Sequence, residues 1–281
     1  MKKQKLAVVF AALLTMVGFS SCLNSEDDGI TEIPDYAEVN MSSFGSVSFN
    51  SMYGWVCVPD KSLTTMPESE LAQIFYRYED ADLQSIMSGT STSKNLPVTL
   101  LQDPVYLKRL DCLTTTLPEE TKTVSIYSLG ERDALVWGNN KYLILAPTIL
   151  LKKGTTSENL STELLNHRLT LYYLSAEGDE DANTLKLYLR YEISGIGGSS
   201  TEETDDKESW ASDYNVRYTN VSHVNLQPII SMYKSTHSGS EPEKVTVEYE
   251  YNNSASSIPT IAKKQTKTVT YSLYTETSSN N

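Results

Sequence analysis

The sequence predicts an all-β fold, built as a sandwich or barrel and preceded by an export signal. Three observations carry this. Several segments alternate apolar and polar residues with period two, as strands do when one face meets a core and the other meets water. The composition suits strands, with 18 Tyr against 5 Phe and abundant Ser and Thr. Helical periodicity is sparse, and the connections are rich in turn residues, the pattern of sandwiches and barrels.

The chain opens with Met1-Lys2-Lys3-Gln4-Lys5, followed by fourteen uncharged, mostly apolar residues, Leu6 to Phe19. A membrane-spanning helix needs about 20 apolar residues, so this run has the length of a signal-peptide core. Phe19-Ser20-Ser21-Cys22 then places small residues directly before a cysteine. The order of features predicts a lipoprotein signal peptide over residues 1–21, cleavage before Cys22, and acylation of Cys22 by palmitate-type chains. The alternative is an ordinary secretory signal with a chance cysteine. Two or three chains hold a protein durably, since each buried methylene contributes about 0.8 kcal/mol. No other apolar run approaches spanning length. Residues 22–35 read as an acidic flexible tether with no hydrophobic pattern. Its start, Leu23-Asn24-Ser25-Glu26-Asp27-Asp28-Gly29, resembles the lipoprotein export signal of Bacteroidetes. That resemblance implies the outer face of the outer membrane.

Strands are expected at Gly45–Asn50, Tyr53–Val58, Gln73–Tyr78, Thr123–Tyr127, Tyr142–Leu151, Arg168–Leu174 and His223–Tyr233. The cleanest alternation lies in Leu185-Leu187-Leu189-Tyr191, Val245-Val247-Tyr249-Tyr251 and Val269-Tyr271-Leu273. Pro147 and Pro228 interrupt two segments and mark edge or bulged strands. Short helices are expected after Pro67 and over Asp80–Met87. Leu174–Leu185 reads as a hairpin with an acidic tip, Glu177 to Asp181, and Gly195–Ser212 as a long loop. The Ser, Thr and Gly cluster between Met87 and Asn95 suggests a boundary. A small domain would then occupy residues 36–95 and a larger β domain residues 96–276.

These pieces together resemble the NigD-like lipoproteins of Bacteroidetes. The lipidated cysteine and acidic tether come first, then paired strands around Val47–Asn50 and Tyr53–Val58, then Ile74-Phe75-Tyr76-Arg77-Tyr78. Trp137-Gly138-Asn139-Asn140-Lys141-Tyr142-Leu143-Ile144 is similar to the family's turn into a Tyr-Leu strand. His167-Arg168-Leu169-Thr170-Leu171 and Leu185-Lys186-Leu187-Tyr188-Leu189-Arg190-Tyr191 follow in the family's order. The chain departs at Tyr191, where the family often has His, and in the insertion-like stretch Leu63–Ala72. The resemblance implies a small OB-like N-terminal barrel closed at Ile74–Tyr78, a larger C-terminal β-sandwich, a lipid anchor and no established enzymatic activity.

Charge and motifs narrow the function. The formal net charge is −13, and removal of Lys2, Lys3 and Lys5 makes it more negative. That disfavours nucleic acid, whose phosphates require clustered Lys and Arg. His167, His223 and His237 are scattered, without the short spacing of metal ligands. No Gly-x-Ser-x-Gly elbow or Gly-x-x-x-x-Gly-Lys-Ser/Thr loop is present. Gly195-Ile196-Gly197-Gly198 leads into an acidic loop, with no helix to hold phosphate. The acidic runs Glu177–Asp181 and Glu202–Asp206 lack calcium-loop spacing and read as solvated turns. Neither a cofactor nor a metal is expected. Cys57 and Cys112 either pair outside the cytoplasm or remain buried thiols. Trp137 and Trp210, both in expected loops, are the interaction candidates, against a packing role for each. Trp55, alternating with Tyr53 and Cys57, reads as core.

The expectation is therefore a non-enzymatic, surface-exposed lipoprotein that binds an extracellular ligand or envelope protein through loops of its sandwich. Two alternatives stand beside it. One is an accessory or immunity-type envelope component, which the family's association with a bacteriocin locus implies. The other is a hydrolase with an unrecognised site.

Overall fold

The structure, a computed structural model, describes residues 29–175, 183–196, 209–252 and 258–274. The predicted signal peptide, Cys22, the tether up to Asp28, the Glu177–Asp181 turn and the Glu202–Asp206 run lie outside these residues. The chain divides into two units, one ending at Arg109 and one beginning at Leu110. Among the described residues, no helix is long and apolar enough to cross a membrane.

The first unit is a closed five-stranded barrel. Its strands are β1 (Ile30–Met41), β2 (Val47–Ser51), β3 (Val56–Pro59), β4 (Leu71–Glu79) and β5 (Asn95–Leu100). They hydrogen-bond in the order β1-β2-β3-β5-β4, and β1 also pairs with β4, which closes the ring. Short β6 (Val105–Tyr106) adds to β4, and β7 (Lys108–Arg109) ends the unit. Inward positions repeat every second residue, as Ile33, Ala37 and Val39 on β1 and as Ala72, Ile74, Tyr76 and Tyr78 on β4. Helix α1 (Asp80–Met87) packs Leu83 and Ile86 on this core. Thr31 Oγ1 donates to Asp80 Oδ1 at 2.6 Å and ties the helix start to β1.

Three expectations are corrected here. Ile30–Asp35, assigned to the tether, belongs to β1, where nine consecutive residues from Ile30 to Glu38 pair with β4. The unit boundary is not at Met87–Asn95, because Asn95–Leu100 is a barrel strand paired with both β3 and β4. No helix follows Pro67; the chain enters β4 at Leu71.

The second unit is a β-sandwich. Its five-stranded sheet runs β17 (Lys264–Ser272), β16 (Lys244–Asn252), β13 (Thr184–Ile193), β12 (His167–Tyr172), β8 (Cys112–Leu113). Opposite lie β10 (Tyr142–Leu145), flanked by β9 (Ala134–Trp137) and β15 (Ser222–Asn225), and the pair β11 (Thr148–Lys152) with β14 (Tyr214–Thr219). Leu143, Leu145, Ile149 and Leu151 join Leu185, Leu187, Leu189, Val245 and Val247 in one core. A short helix, α2 (Leu160–Leu164), precedes β12. Strands β13 and β16 are parallel, so the chain between them must cross over. It does so through β14, β15 and α3 (Gln227–Thr236).

Pro147 precedes a bulged strand, as expected, since the register of β11 on β14 shifts between Leu151 and Lys152. Pro147 separates β10 from β11 and sends them into different sheets. Pro228 does not bulge a strand; it sits in the first turn of α3, where its missing N–H costs nothing and its fixed φ favours helix. Thr123–Tyr127 is not a ladder strand either. The pairing of β13 with β16 ends at Leu189 and Tyr249. Beyond it, Val124 N–H donates to Tyr191 O and Ile126 N–H to Glu250 O, at 2.7 and 2.9 Å.

Beside that insertion, the outward residues of the sheet are not all in water. Arg190 and Glu250 are buried, and five charges connect there. Glu248 meets Lys186 at 3.3 Å and Arg190 at 2.9 Å; Glu250 meets Arg190 at 3.8 Å and Lys264 at 3.1 Å. Lys264 Nζ also donates to Thr123 O at 3.0 Å. Burial lowers the Lys264 pKa, and Glu250 opposes that shift. Removing one member of such a network leaves its partners buried and uncompensated, which costs about 3 kcal/mol or more. Glu250→Ala is therefore expected to lower unfolding stability by at least that amount in a urea titration, whereas exposed Lys267→Ala should change it by less than about 0.5 kcal/mol.

Candidate functional site

Each of the two sequence-predicted interaction residues makes an aromatic contact within the sandwich. Trp137 ends β9 and stacks on Tyr142, with ring centroids 5.5 Å apart. The Gly138-Asn139-Asn140 turn after it has positive φ at all three residues. Asn140 uses its amide as a clamp, donating to Tyr274 O at 2.7 Å and accepting from Tyr274 N–H at 2.6 Å. Trp210 lies in a short 3₁₀ turn and packs edge-on against Tyr214 at 5.9 Å. Both indoles are half-buried, and neither stacks on the other.

Cys57 and Cys112 are free thiols, the second of the two alternatives the sequence leaves open. Cys57 lies in the barrel core, and Cys112 packs against the sandwich core. Burial pushes both thiols up to about 12, which keeps them protonated and unreactive. Alkylation of the native protein without reductant is expected to modify neither cysteine, and alkylation in denaturant both. A disulfide would leave them unmodified in each case.

One relay in the sandwich has the look of catalytic machinery. His167 Nε2 is 2.9 Å from Glu163 Oε1, and its Nδ1 is 2.5 Å from the Tyr191 hydroxyl. Lys152 N–H also donates to Glu163 at 2.9 Å. Yet Tyr191 is 1% exposed within the sandwich core, so its hydroxyl meets no substrate, and burial raises its pKa further. The triad fastens α2 to β12 and β13. A groove of about 480 Å³ on the barrel carries Glu68 and Glu70 beside Tyr106 and Arg109. Glu68 is exposed and Glu70 lies 3.9 Å from Arg109, unlike the desolvated acid that glycoside hydrolysis employs. Among the described residues, no three His, Cys, Asp or Glu side chains converge as a metal site would.

The barrel holds a more unusual constellation. Asp35 occupies the inward position between Ile33 and Ala37 and is 3% exposed. Its Oδ2 accepts from the Ser51 hydroxyl at 2.5 Å and from the Tyr76 hydroxyl at 3.4 Å. Its Oδ1 is buried without a hydrogen-bond partner. Desolvation raises its pKa to about 7, against the opposing pull of Ser51, the Met52 amide, Tyr76 and the Tyr36 amide. The Tyr76 hydroxyl in turn accepts the Trp55 indole N–H at 3.1 Å. Trp55 stacks on Tyr53, with centroids 5.2 Å apart and planes 21° apart, and Tyr53 is 54% exposed. Tyr78 continues the aromatic row at 6.5 Å from Trp55. A buried carboxyl is thus connected, through one tyrosine, to an aromatic pair on the surface.

This site was hidden from sequence reasoning in two ways. Asp35 lies in the segment read as tether, and Trp55 does pack against the barrel core as its alternation predicts, which conceals that its ring also stacks on exposed Tyr53. Two signals were present. Ile33-x-Asp35-x-Ala37-x-Val39 places an acid in an inward period-two row, and residues 39–59 contain no charged side chain in an acidic chain.

No family model matches the chain, and no curated protein matches it. Solved structures do. A protein designated a lipoprotein, from Bacteroides fragilis, superposes with a TM-score of 0.64 at 18% identity, over 88% of this chain and 99% of that one. The two share a fold. An uncharacterized protein from Parabacteroides merdae gives a TM-score of 0.49 at 15% identity, over 86% of this chain and 100% of its own. A NigD-like immunity protein from Bacteroides caccae gives 0.47 at 11% identity, over 85% and 96%. At the level of fold, the resemblance drawn from the residues has its counterpart in the Bacteroides fragilis protein. The expected architecture, an OB-like barrel followed by a β-sandwich, is the one observed.

Because the folded pKa of Asp35 is raised, the fold favours its neutral form. Its contribution to stability is full below about pH 4 and is lost as pH rises through about 7. The loss amounts to on the order of 4 kcal/mol, at about 1.4 kcal/mol per pKa unit. Asp35→Asn should therefore unfold at higher denaturant than the wild type at pH 8.5, and that advantage should shrink or vanish at pH 5.

Proposed function

We propose that this chain is a lipid-anchored lipoprotein of a bacterial outer membrane, exposed at the cell surface and without a catalytic role, and that it binds an extracellular ligand on the Tyr53–Trp55 face of its barrel. The anchor rests on the order of charge, apolar run, small residues and Cys22 in the sequence. The direction outward rests on the acidic residues that follow it. The binding role rests on one observation above the others: Trp55 is stacked on half-exposed Tyr53 while its N–H is fixed by Tyr76.

An aromatic surface held in advance loses little conformational entropy on binding. In OB-like barrels the face of the second and third strands commonly carries ligands, and Tyr53 and Trp55 sit in the turn joining β2 to β3. The absence of charge over residues 39–59 suits a neutral ligand with a flat apolar face, such as the ring of an uncharged sugar. The site thereby moves from the sandwich loops, where Trp137 and Trp210 are engaged in packing, to the barrel.

Two measurements test this reading. Cys22→Ser should release the protein from the membrane fraction. Titration of the detergent-solubilised protein with neutral glucan and mannan oligosaccharides should give saturable binding, weakened at least tenfold by Trp55→Ala, or about 1.4 kcal/mol. Binding unchanged in Trp55→Ala and Tyr53→Ala, or none to any uncharged sugar, would overturn the assignment of this face.

A further inference from the structure

We infer that Asp35 is a positioning residue for the Tyr53–Trp55 face, gripping it through Ser51 and Tyr76, and that its ionisation sets how tightly the face holds a ligand. The inference rests on the reading of that face as the binding surface.

Two arms meet on one oxygen. In the first, the Ser51 hydroxyl donates to Asp35 Oδ2 and accepts the Tyr53 N–H at 3.0 Å. Ser51 also anchors the rest of the turn, since its N–H donates to Trp55 O at 2.9 Å and its carbonyl accepts the Gly54 N–H at 3.1 Å. In the second, the Tyr76 hydroxyl donates to the same Oδ2 and accepts the Trp55 indole N–H. Each hydroxyl has a single proton. While Asp35 is a carboxylate, both protons are drawn to it, and the lone pairs of both hydroxyls are turned toward the aromatic turn. Charge-assisted bonds are roughly twice as strong as neutral ones, so ionisation tightens both arms together. Protonated Asp35 pulls less, and a proton on Oδ2 would reverse the direction of at least one arm.

The other titratable groups that face Asp35 are Tyr53 in the turn, Cys57 on β3 and Tyr76 on β4, with Tyr36 beside it on β1. Burial raises the pKa of every one, so all remain neutral from pH 5 to 9. Asp35 is thus the group that changes charge here near neutrality. Burial makes the ionised state costly, and the arms on Oδ2 are what that state strengthens. The face is expected to be loosely held in mildly acidic surroundings and firmly held in mildly alkaline ones.

The experiment pairs binding with a ligand-free readout. Affinity for the neutral oligosaccharide bound best by the wild type is measured from pH 5.5 to 8.5, in the wild type, Asp35→Asn and Tyr76→Phe. The wild type should bind several-fold tighter at pH 8.5 than at pH 5.5, with a midpoint near 7. Asp35→Asn should bind at every pH with about the acidic-pH affinity of the wild type. Tyr76→Phe should weaken binding at alkaline pH while the protein stays folded by circular dichroism. Alongside, the protein is labelled with 5-fluorotryptophan, and the Trp55 fluorine resonance, assigned with Trp55→Phe, is followed without ligand. It should titrate near pH 7 in the wild type and stay flat in Asp35→Asn. Ligand binding that ignores pH, or that follows pH equally in Asp35→Asn, overturns the inference and leaves the binding face standing. Should no sugar bind, the binding-face reading fails, and the fluorine titration alone decides whether Asp35 positions Trp55: a flat wild-type resonance overturns it.

Discussion

Strand β1 is shared between two partners, and the barrel depends on that sharing. Its first nine residues pair with β4, and its last five pair with β2. Ala37 and Glu38 belong to both ladders, facing Ala72 and Leu71 on one side and Ser51 and Asn50 on the other. A sheet closed this way has no free edge at β1. It also fixes which side chains enter the interior, since a slip of one residue would turn every inward residue outward. The register that buries Ala37 also buries Asp35. The β1–β2 ladder brings Ser51, opposite Ala37, to the carboxyl, and the closing β1–β4 ladder brings Tyr76.

The two units handle buried charge in opposite ways. In the sandwich, Arg190, Glu248, Glu250, Lys186 and Lys264 satisfy one another, and the network fastens the Thr123–Ile126 segment where two strands part. Its role is explained by stability alone. In the barrel, Asp35 faces no cation among its hydrogen-bond partners and leaves one oxygen unsatisfied. An apolar residue would serve the core better. A group that weakens its own fold, joined by two hydrogen-bonded arms to an exposed aromatic turn, is the arrangement expected where packing yields to function.

Much of the fold was legible in the sequence, for physical reasons that can be named. Strands β13, β16 and β17 alternate cleanly because one face packs on a core, but the parallel pairing of β13 with β16 leaves no mark on that pattern. Strand β1 was missed because Glu32, Pro34, Asp35 and Glu38 dilute its apolar content, and its pairing partners lie elsewhere in the chain. The helix at Pro228 was missed because proline reads as a strand breaker unless the helix start is already known. The site was less legible than the fold. Trp137 and Trp210 are conspicuous as residue types, but the sequence does not show that Trp137 stacks on Tyr142 and that Trp210 meets Tyr214 edge-on. Tyr53 and Trp55 gain meaning only through Tyr76, twenty-one residues later in the chain, and through Asp35, which closure of the barrel brings to them.

The central claim is that Trp55 is held from inside the barrel. Hydrogen exchange of the tryptophan indole N–H groups, followed by NMR on the ligand-free protein at neutral pH, tests it most directly. The Trp55 indole proton should exchange far more slowly than a free indole, and Tyr76→Phe should abolish that protection while the backbone amides of β1 and β4 stay protected. Exchange of the Trp55 proton at the free-indole rate in the wild type would contradict the account.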